Sequence, residues 1–195
     1  MQRNAYASDG RVQRGERSRD AIVQALFELI AEGSLSPTAE AVAERASVGI
    51  RTVFRHFSDM ESLFAALDER VTASARSITA NGTPTGDVDQ RAIELVERRA
   101  SLYEMLAPFE RSANLKRYRS PFLQDRHRRF IRELRKDLER WIPELSAAPD
   151  DVQQGLDCAT SIEVWDRLRI EQRLSRKRAQ EAMECTVLSL VANLA

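Results

Sequence analysis

Glycine and proline are unevenly distributed along the 195-residue chain, and this distribution strongly constrains the fold. Neither residue occurs in four long stretches, at 50–81, 87–107, 122–142 and 156–195. Glycine and proline cost about 1 and 3 kcal/mol inside a helix, so stretches without them can form long helices. The β-branched, alternating runs that are typical of strands are missing. The sequence therefore predicts an all-α fold of about nine helices.

The composition indicates a globular protein without a membrane span. Hydrophobic residues make up 43% and charged residues 31% of the chain, and no apolar run approaches the length that crosses a bilayer. Cys158 and Cys185 are the only cysteines, too few for a disulfide framework or a zinc site. The N-terminus is polar and lacks the apolar core of a secretory signal. We therefore expect a cytoplasmic protein with no metal, cofactor or membrane partner.

The first three predicted helices lie close together in the sequence. Apolar residues at helical spacing predict a first helix over 17–31. Two residues can cap the next helix, either Ser36 with Pro37 at the first helical position, or Thr38. The segment 47–49 then predicts a tight turn before a third, short helix.

Residues 38–57 have the pattern of a helix-turn-helix, which consists of a support helix, a turn and a second short helix that enters the major groove. We expect Val53 and Phe57 to face inward and Arg51 and Arg55 to face outward. Outward arginines in this position can bind guanine edges or phosphates. Although the net charge of the chain is zero, residues 45–57 contain no acid and are locally basic, through Arg45, Arg51, Arg55 and His56.

The rest of the chain is predicted to form longer helices. Residues 58–61 read as a capping box that opens a long helix ending near Asn81 and Gly82. The segment 81–86, NGTPTG, is the clearest break. We therefore divide the chain into an N-terminal arm and helix-turn-helix domain at 1–58, a connecting helix at 59–80 and a second helical domain at 81–195. Later helices are predicted near 87–106, 109–118, 121–141, 150–171 and 176–193.

The sequence AERASVGIRTVFRHFSDMESL at 43–63 resembles the signature of TetR-type transcriptional regulators. Their usual pattern is an alanine-rich support helix, an A-G-V-S turn, a G-T-L-Y-x-H-F recognition helix and a polar cap followed by K-E-x-L. Five residues depart from that pattern: Ser47 replaces a usual glycine, Gly49 a frequent serine, Arg51 a frequent glycine, Phe54 a usual tyrosine and Met60 a common lysine. The fold that the resemblance implies is the helix-turn-helix followed by a helical ligand-binding and dimerisation domain.

The resemblance also implies partners and site residues. The first partner is a double-stranded DNA operator, contacted by Arg17, Thr38, Gly49, Ile50, Arg51, Thr52, Phe54, Arg55 and His56. The second is a small-molecule effector of unknown identity, with candidate wall residues Tyr103, Leu106, Phe109, Tyr118, Phe122, His127, Phe130 and Trp165. The third is a second copy of the chain, contacted by Leu156, Ala159, Ile162, Met183, Val187 and Leu190.

Both the effector and the dimer assignments have simpler alternatives. Aromatic residues at helical spacing more often form the core than a ligand pocket. The apolar stripes of the last two helices could be buried against their own subunit only, and periodicity does not separate the two cases.

The direct interpretation of the sequence is a TetR-like repressor. It would bind a near-palindromic operator as a dimer and be released by a small-molecule ligand. The alternative is a helical interaction or scaffold protein with degenerate DNA binding, which the replacements at Phe54 and Met60 favour. Two histidines, two distant cysteines and no glycine-rich phosphate loop give no catalytic constellation, so we do not expect an enzyme.

Overall fold

The computed structural model describes residues 4–79 and 82–194, and the predicted boundary at residues 80 and 81 lies outside them. Within the described residues the chain is helical and has no strand, which confirms the predicted fold class. None of the helices described combines the length and the hydrophobicity that a bilayer span requires. The nine α-helices of these residues are α1 (Asn4–Ala31), α2 (Ala39–Arg45), α3 (Ile50–His56), α4 (Met60–Thr79), α5 (Val88–Arg117), α6 (Pro121–Trp141), α7 (Asp150–Ala159), α8 (Ile162–Asp166) and α9 (Arg176–Val191).

The described residues form two compact units. Those up to Ser74, together with Pro108–Leu115, form the first unit, and those of Ala75–Ala107 and from Lys116 onward form the second. Helices α4 and α5 therefore supply residues to both units. The first unit contains the whole predicted helix-turn-helix.

The core of the first unit is built where α1 packs against α2 and α3. Its central side chains are almost completely buried: Ile22, Leu26, Ile30, Val42, Val53 and Leu63. Beside them the Phe27 ring stacks on the Phe109 ring, with centroids 4.9 Å apart. The guanidinium of Arg70 lies over the Phe27 ring, 5.7 Å from its centroid. Burial of these apolar side chains is the main stabilising contribution to the unit.

Side-chain caps begin several helices where the sequence predicted them. Thr38, rather than Ser36, caps α2, and its Oγ1 accepts a hydrogen bond from the Ala41 amide at 3.2 Å. Ser120 caps α6 ahead of Pro121 by accepting from the Leu123 amide at 3.1 Å. Such caps satisfy amide groups that have no partner inside the helix.

The capping box of α4 is shifted by one residue from its predicted position at 58–61. Asp59 Oδ1 accepts from the Ser62 amide at 2.7 Å, and Ser62 Oγ accepts from the Asp59 amide at 3.3 Å. The reciprocal pair is therefore Asp59 with Ser62, since α4 begins at Met60. The hydrogen bond from the Ser62 amide also holds the pKa of Asp59 below its usual range.

Glycine and proline interrupt the helices less than the sequence predicted. The predicted start of the first helix at Arg17 is wrong, because α1 begins at Asn4 and continues through two glycines without a proline. The predicted end near residue 106 is also wrong, because α5 continues through Pro108 to Arg117. Leu106 and Phe109, on the two sides of the proline, are both buried. Their burial offsets the cost of about 3 kcal/mol that proline imposes inside a helix.

A predicted continuous helix at 150–171 is instead broken at Thr160, where α7 ends and α8 begins two residues later. The break leaves the Thr160 carbonyl available, and it accepts hydrogen bonds from Tyr103 Oη at 2.7 Å and Arg99 Nη1 at 3.1 Å. Arg99 is only 2% exposed and also donates to the Leu134 carbonyl at 2.6 Å. Buried charges need such partners, so Arg99 joins α5, α6 and the α7–α8 break within the second unit.

Ser47 carries backbone strain in the turn between α2 and α3, since its φ of 53° lies in the left-handed region. We expect Ser47→Gly to raise the free energy of unfolding by about 1 kcal/mol, because glycine adopts this φ without a steric penalty. Urea denaturation followed by circular dichroism measures the change. Ser36→Gly, at an exposed residue without a positive φ, is the control and should not raise stability. Equal effects at both positions would contradict the assignment of strain to Ser47.

Candidate nucleic-acid interface

The helix α3 is held in place by its inner face. It has seven residues, and Gly49 precedes it without a side-chain cap. Val53 is 1% exposed and Phe57, at the C-terminal end, is 3% exposed. Both residues therefore face inward, as the sequence predicted, and they fix which side of α3 faces out.

The outer face of α3 carries two cationic side chains one turn apart. Arg51 and Arg55 are both exposed, on the side opposite Val53 and Phe57. Across residues 4–79 and 82–194, neither guanidinium has an acidic partner within the chain. Exposed and unneutralised guanidinium groups can bind phosphate oxygens or the O6 and N7 acceptors of guanine. The outer face of α3 therefore has the chemistry of a surface that binds DNA.

Arg45 does not contribute to this cationic surface, although the sequence analysis included it among the locally basic residues. Its Nη1 and Nη2 donate to the two carboxylate oxygens of Glu32 at 2.9 and 2.6 Å, and Glu28 lies 3.5 Å away. The hydrogen bond from Arg45 lowers the pKa of Glu32. Two carboxylates neutralise Arg45, so its role is to anchor α2 to α1.

His56 is oriented partly toward the interior. Its Nε2 is buried and has no hydrogen-bond partner among the described residues. Burial lowers the pKa of His56, and the charges of Arg55 and Arg19 add to this effect. The imidazole is therefore neutral at pH 7.

Arg19 makes a contact with Phe57 that the sequence did not predict. Its guanidinium lies 5.0 Å from the centroid of the Phe57 ring, at the C-terminal end of α3. A cation over an aromatic face is attracted by the ring quadrupole, which helps to hold the end of α3 against α1. No local sequence signal connects residues so far apart in the chain, since only the packing of α1 on α3 brings them together.

The other predicted DNA contacts also lie in the first unit. Arg17 is exposed on α1, and Thr38 is exposed at the start of α2. On α3, Thr52 is half-buried, whereas Ile50 and Phe54 are 37% and 50% exposed. Gly49 is exposed and a Cβ there would meet nothing within 4 Å.

The predicted effector residues occupy different environments. Tyr103 and Trp165 are buried with ring centroids 6.5 Å apart, and Leu106 is also buried. Phe109 belongs to the first unit, where it stacks on Phe27. Tyr118 is 83% exposed. Three further candidates are half-buried on α6, namely Phe122, His127 and Phe130.

Most of the predicted dimerisation residues are buried within a single chain. Leu156, Ala159, Ile162, Met183 and Val187 are all in the core of the second unit. Leu190 is half-buried, and its methyl carbons lie 3.6 and 3.7 Å from where a Cβ on Gly155 would be. The small size of Gly155 therefore permits α7 and α9 to pack closely.

Comparison with known proteins agrees with the geometry of the first unit. Residues 22–67, which include all of α2 and α3, match the family model described as bacterial regulatory proteins, tetR family. No curated protein matches the chain.

Solved structures share the fold at low sequence identity. A transcriptional regulator from Rhodococcus sp. Rha1 aligns with a TM-score of 0.71 and 17% identity over 89% of this chain and 96% of that chain. Two proteins assigned to the TetR family also align. The one from Rhodococcus sp. has a TM-score of 0.67 and 18% identity, over 91% of this chain and 99% of its own. The one from Mesorhizobium loti MAFF303099 has a TM-score of 0.65 and 17% identity, over 92% and 97%.

Three observations agree. The chain contains a helix-turn-helix with an exposed cationic helix, that segment matches the family model, and solved transcriptional regulators share the fold. Residues 22–67 therefore match the TetR family of bacterial regulatory proteins, and the chain shares its fold with solved transcriptional regulators.

Proposed function

We propose that this regulator is a repressor that binds a near-palindromic operator as a homodimer and releases it when a small molecule binds. The observation that supports DNA readout by α3 is its exposed pair Arg51 and Arg55, opposite the buried Val53 and Phe57. In this proposal the outer face of α3 enters the major groove, as the second helix of a helix-turn-helix does.

The proposed contacts divide into two kinds. Arg51 and Arg55 read guanine edges or bind nearby phosphates, since no carboxylate in the described part of the chain competes for their guanidinium groups. Arg17 and Thr38 lie outside α3 and bind phosphates, which positions the unit without reading sequence. Thr38 can donate its hydroxyl proton to a phosphate while its oxygen still caps α2. His56 enters the interface as a neutral imidazole.

The length of α3 supports a dimer. Seven residues extend about 10 Å along a helix axis, so one copy of α3 reaches only a few base pairs. Specific binding within a genome needs more base contacts than this. Two copies related by a two-fold axis double the contacts and explain why the operator would be near-palindromic. We assign the dimer contact to α7 and α9, where Leu188 and Leu190 remain half-exposed in the single chain.

The effector is proposed to bind in the second unit, near Tyr103 and Trp165. These rings lie beside polar groups that can orient a ligand, because Trp165 Nε1 donates to Glu104 at 3.2 Å and Tyr103 is bound by Arg99. A ligand that prefers a conformer with the wrong spacing of the two α3 helices lowers DNA affinity by its difference in affinity.

Two arginine substitutions test the division between readout and positioning. Arg51→Ala should weaken binding of a duplex selected from a randomised library by about 10- to 100-fold and relax the preference at one base pair. Arg17→Ala should weaken binding to all duplexes alike and reduce the salt slope by about one. Fluorescence anisotropy over a salt series measures both effects.

The matched control is Arg167→Ala, at an exposed arginine of the second unit. It should change neither the preferred sequence nor the salt slope. Failure to select any preferred duplex would favour the alternative of a helical scaffold with degenerate DNA binding.

The lowered pKa of His56 predicts that the free energy of unfolding depends on pH. Since the folded protein lowers the pKa of His56, the unfolded chain binds this proton first as the pH falls below about 6.5. The free energy of unfolding should therefore decrease on acidification from pH 7 to pH 5.5, and more steeply than in His56→Gln. Identical pH slopes for the two proteins would contradict the assignment.

The effector and dimer proposals are tested by separate measurements. Sedimentation equilibrium should give a dimer, and Leu188→Glu should shift it toward monomer because a charge would be buried at the contact. His127→Ala, on α6, should abolish the response to an effector found by ligand screening while leaving DNA affinity intact. An unchanged dose–response would remove His127 from the effector site.

A further inference from the structure

The recognition helix carries an apolar row beside its cationic one. Ile50 is 37% exposed and Phe54 is 50% exposed, and the two lie one helical turn apart. The apolar side chains that hold α3 in the unit are different ones, Val53 and Phe57. The Ile50–Phe54 row is therefore not part of the core, and it flanks the row formed by Arg51 and Arg55.

Phe54 has no partner that accounts for its position. In the part of the chain that the structure describes, its ring neither stacks on another aromatic ring nor lies under a cation, whereas Phe27 and Phe57 do. Half of its surface faces solvent on the same helix that presents two unneutralised arginines. Charge complementarity favours DNA as the partner of this face. When DNA is bound there, the group that covers Phe54 is therefore a group of the DNA.

The chemistry of Ile50 and Phe54 restricts which group of the DNA can contact them. Neither Ile50 nor Phe54 has a hydrogen-bond donor, so they gain nothing from phosphate oxygens or from the acceptors of guanine. The apolar group that bases present in the major groove is the methyl on C5 of thymine. A cytosine methylated at C5 presents the same group at the corresponding position.

We propose that the Ile50–Phe54 row reads the C5-methyl groups of pyrimidines in the operator, beside the bases or phosphates that Arg51 and Arg55 contact. This inference rests on the proposed operator binding. The two side chains are separated by about 6 Å along the helix, which lets them reach neighbouring bases. Removing one contacted methyl group should weaken binding about fourfold, because the apolar surface of that methyl group is no longer buried against the protein.

The experiment uses the full-length protein and a duplex selected from a randomised library that contains thymine. Each symmetric pair of thymines in the selected duplex is then replaced by deoxyuridine, which removes only the methyl groups. Fluorescence anisotropy should show about fourfold weaker binding per contacted methyl at one or two positions of the half-site. At the position that Phe54 contacts, deoxyuridine should cost nothing in Phe54→Ala, because the side chain that contacts the methyl is absent, whereas a position that Ile50 contacts should stay sensitive.

Two further variants separate recognition from folding. Phe54→Leu keeps an apolar side chain and should retain part of the preference for thymine over uracil. Ile93→Ala removes a similarly exposed apolar side chain from α5 and should leave the preference unchanged. Circular dichroism should show that Phe54→Ala keeps its helices, since the ring contributes little to the core.

The outcomes distinguish the inference from the function on which it rests. If no duplex is selected, operator binding fails and the inference fails with it. If a duplex is bound but uracil and thymine are equivalent at every position, operator binding stands and methyl readout is overturned. At a position where uracil weakens binding, the thymine–adenine pair can also be replaced by a 5-methylcytosine–guanine pair. If this pair binds better than the unmethylated cytosine–guanine pair, the row recognises the methyl group of both thymine and 5-methylcytosine. If the two pairs bind equally, the row recognises the methyl group of thymine only.

Discussion

A helix of seven residues is too short to persist alone in water, because helices below about 12 residues gain too few hydrogen bonds to offset nucleation. The existence of α3 therefore depends on the burial of Val53 and Phe57 in the first unit. The same burial determines which side chains remain outside. Stability and orientation thus have one cause, and a residue that loosens Val53 or Phe57 would change DNA binding without touching DNA.

The arginines of the first unit have separate roles that their sequence context does not reveal. Arg45 is neutralised by Glu28 and Glu32 and joins two helices. Arg19 packs over Phe57 and lies near the end of α3. Arg51 and Arg55 have no acidic partner among the residues that the structure describes, so their charge is available to a polyanion. The zero net charge of the chain therefore conceals a small surface whose charge is uncompensated.

The sequence predicted the elements that depend on local chemistry, such as the cap at Ser120 and the inward positions Val53 and Phe57. It did not predict features that depend on distant partners. The break at Thr160 exposes a carbonyl whose donors, Arg99 and Tyr103, come from another helix. The candidate interface was predictable because a helix-turn-helix is contiguous in sequence. Residues assigned to a pocket or to a subunit contact depend on packing between distant segments, and their assignments stay predictions.

The central claim is that α3 enters the major groove, and chemical interference on bound DNA tests it directly. Dimethyl sulfate methylates guanine N7 in the major groove and adenine N3 in the minor groove, and the bound fraction of the modified duplex shows which modification blocks binding. The account predicts interference by guanine N7 methylation in two clusters separated by about one helical turn or a multiple of it. Interference confined to adenine N3 would place the protein in the minor groove and contradict the account.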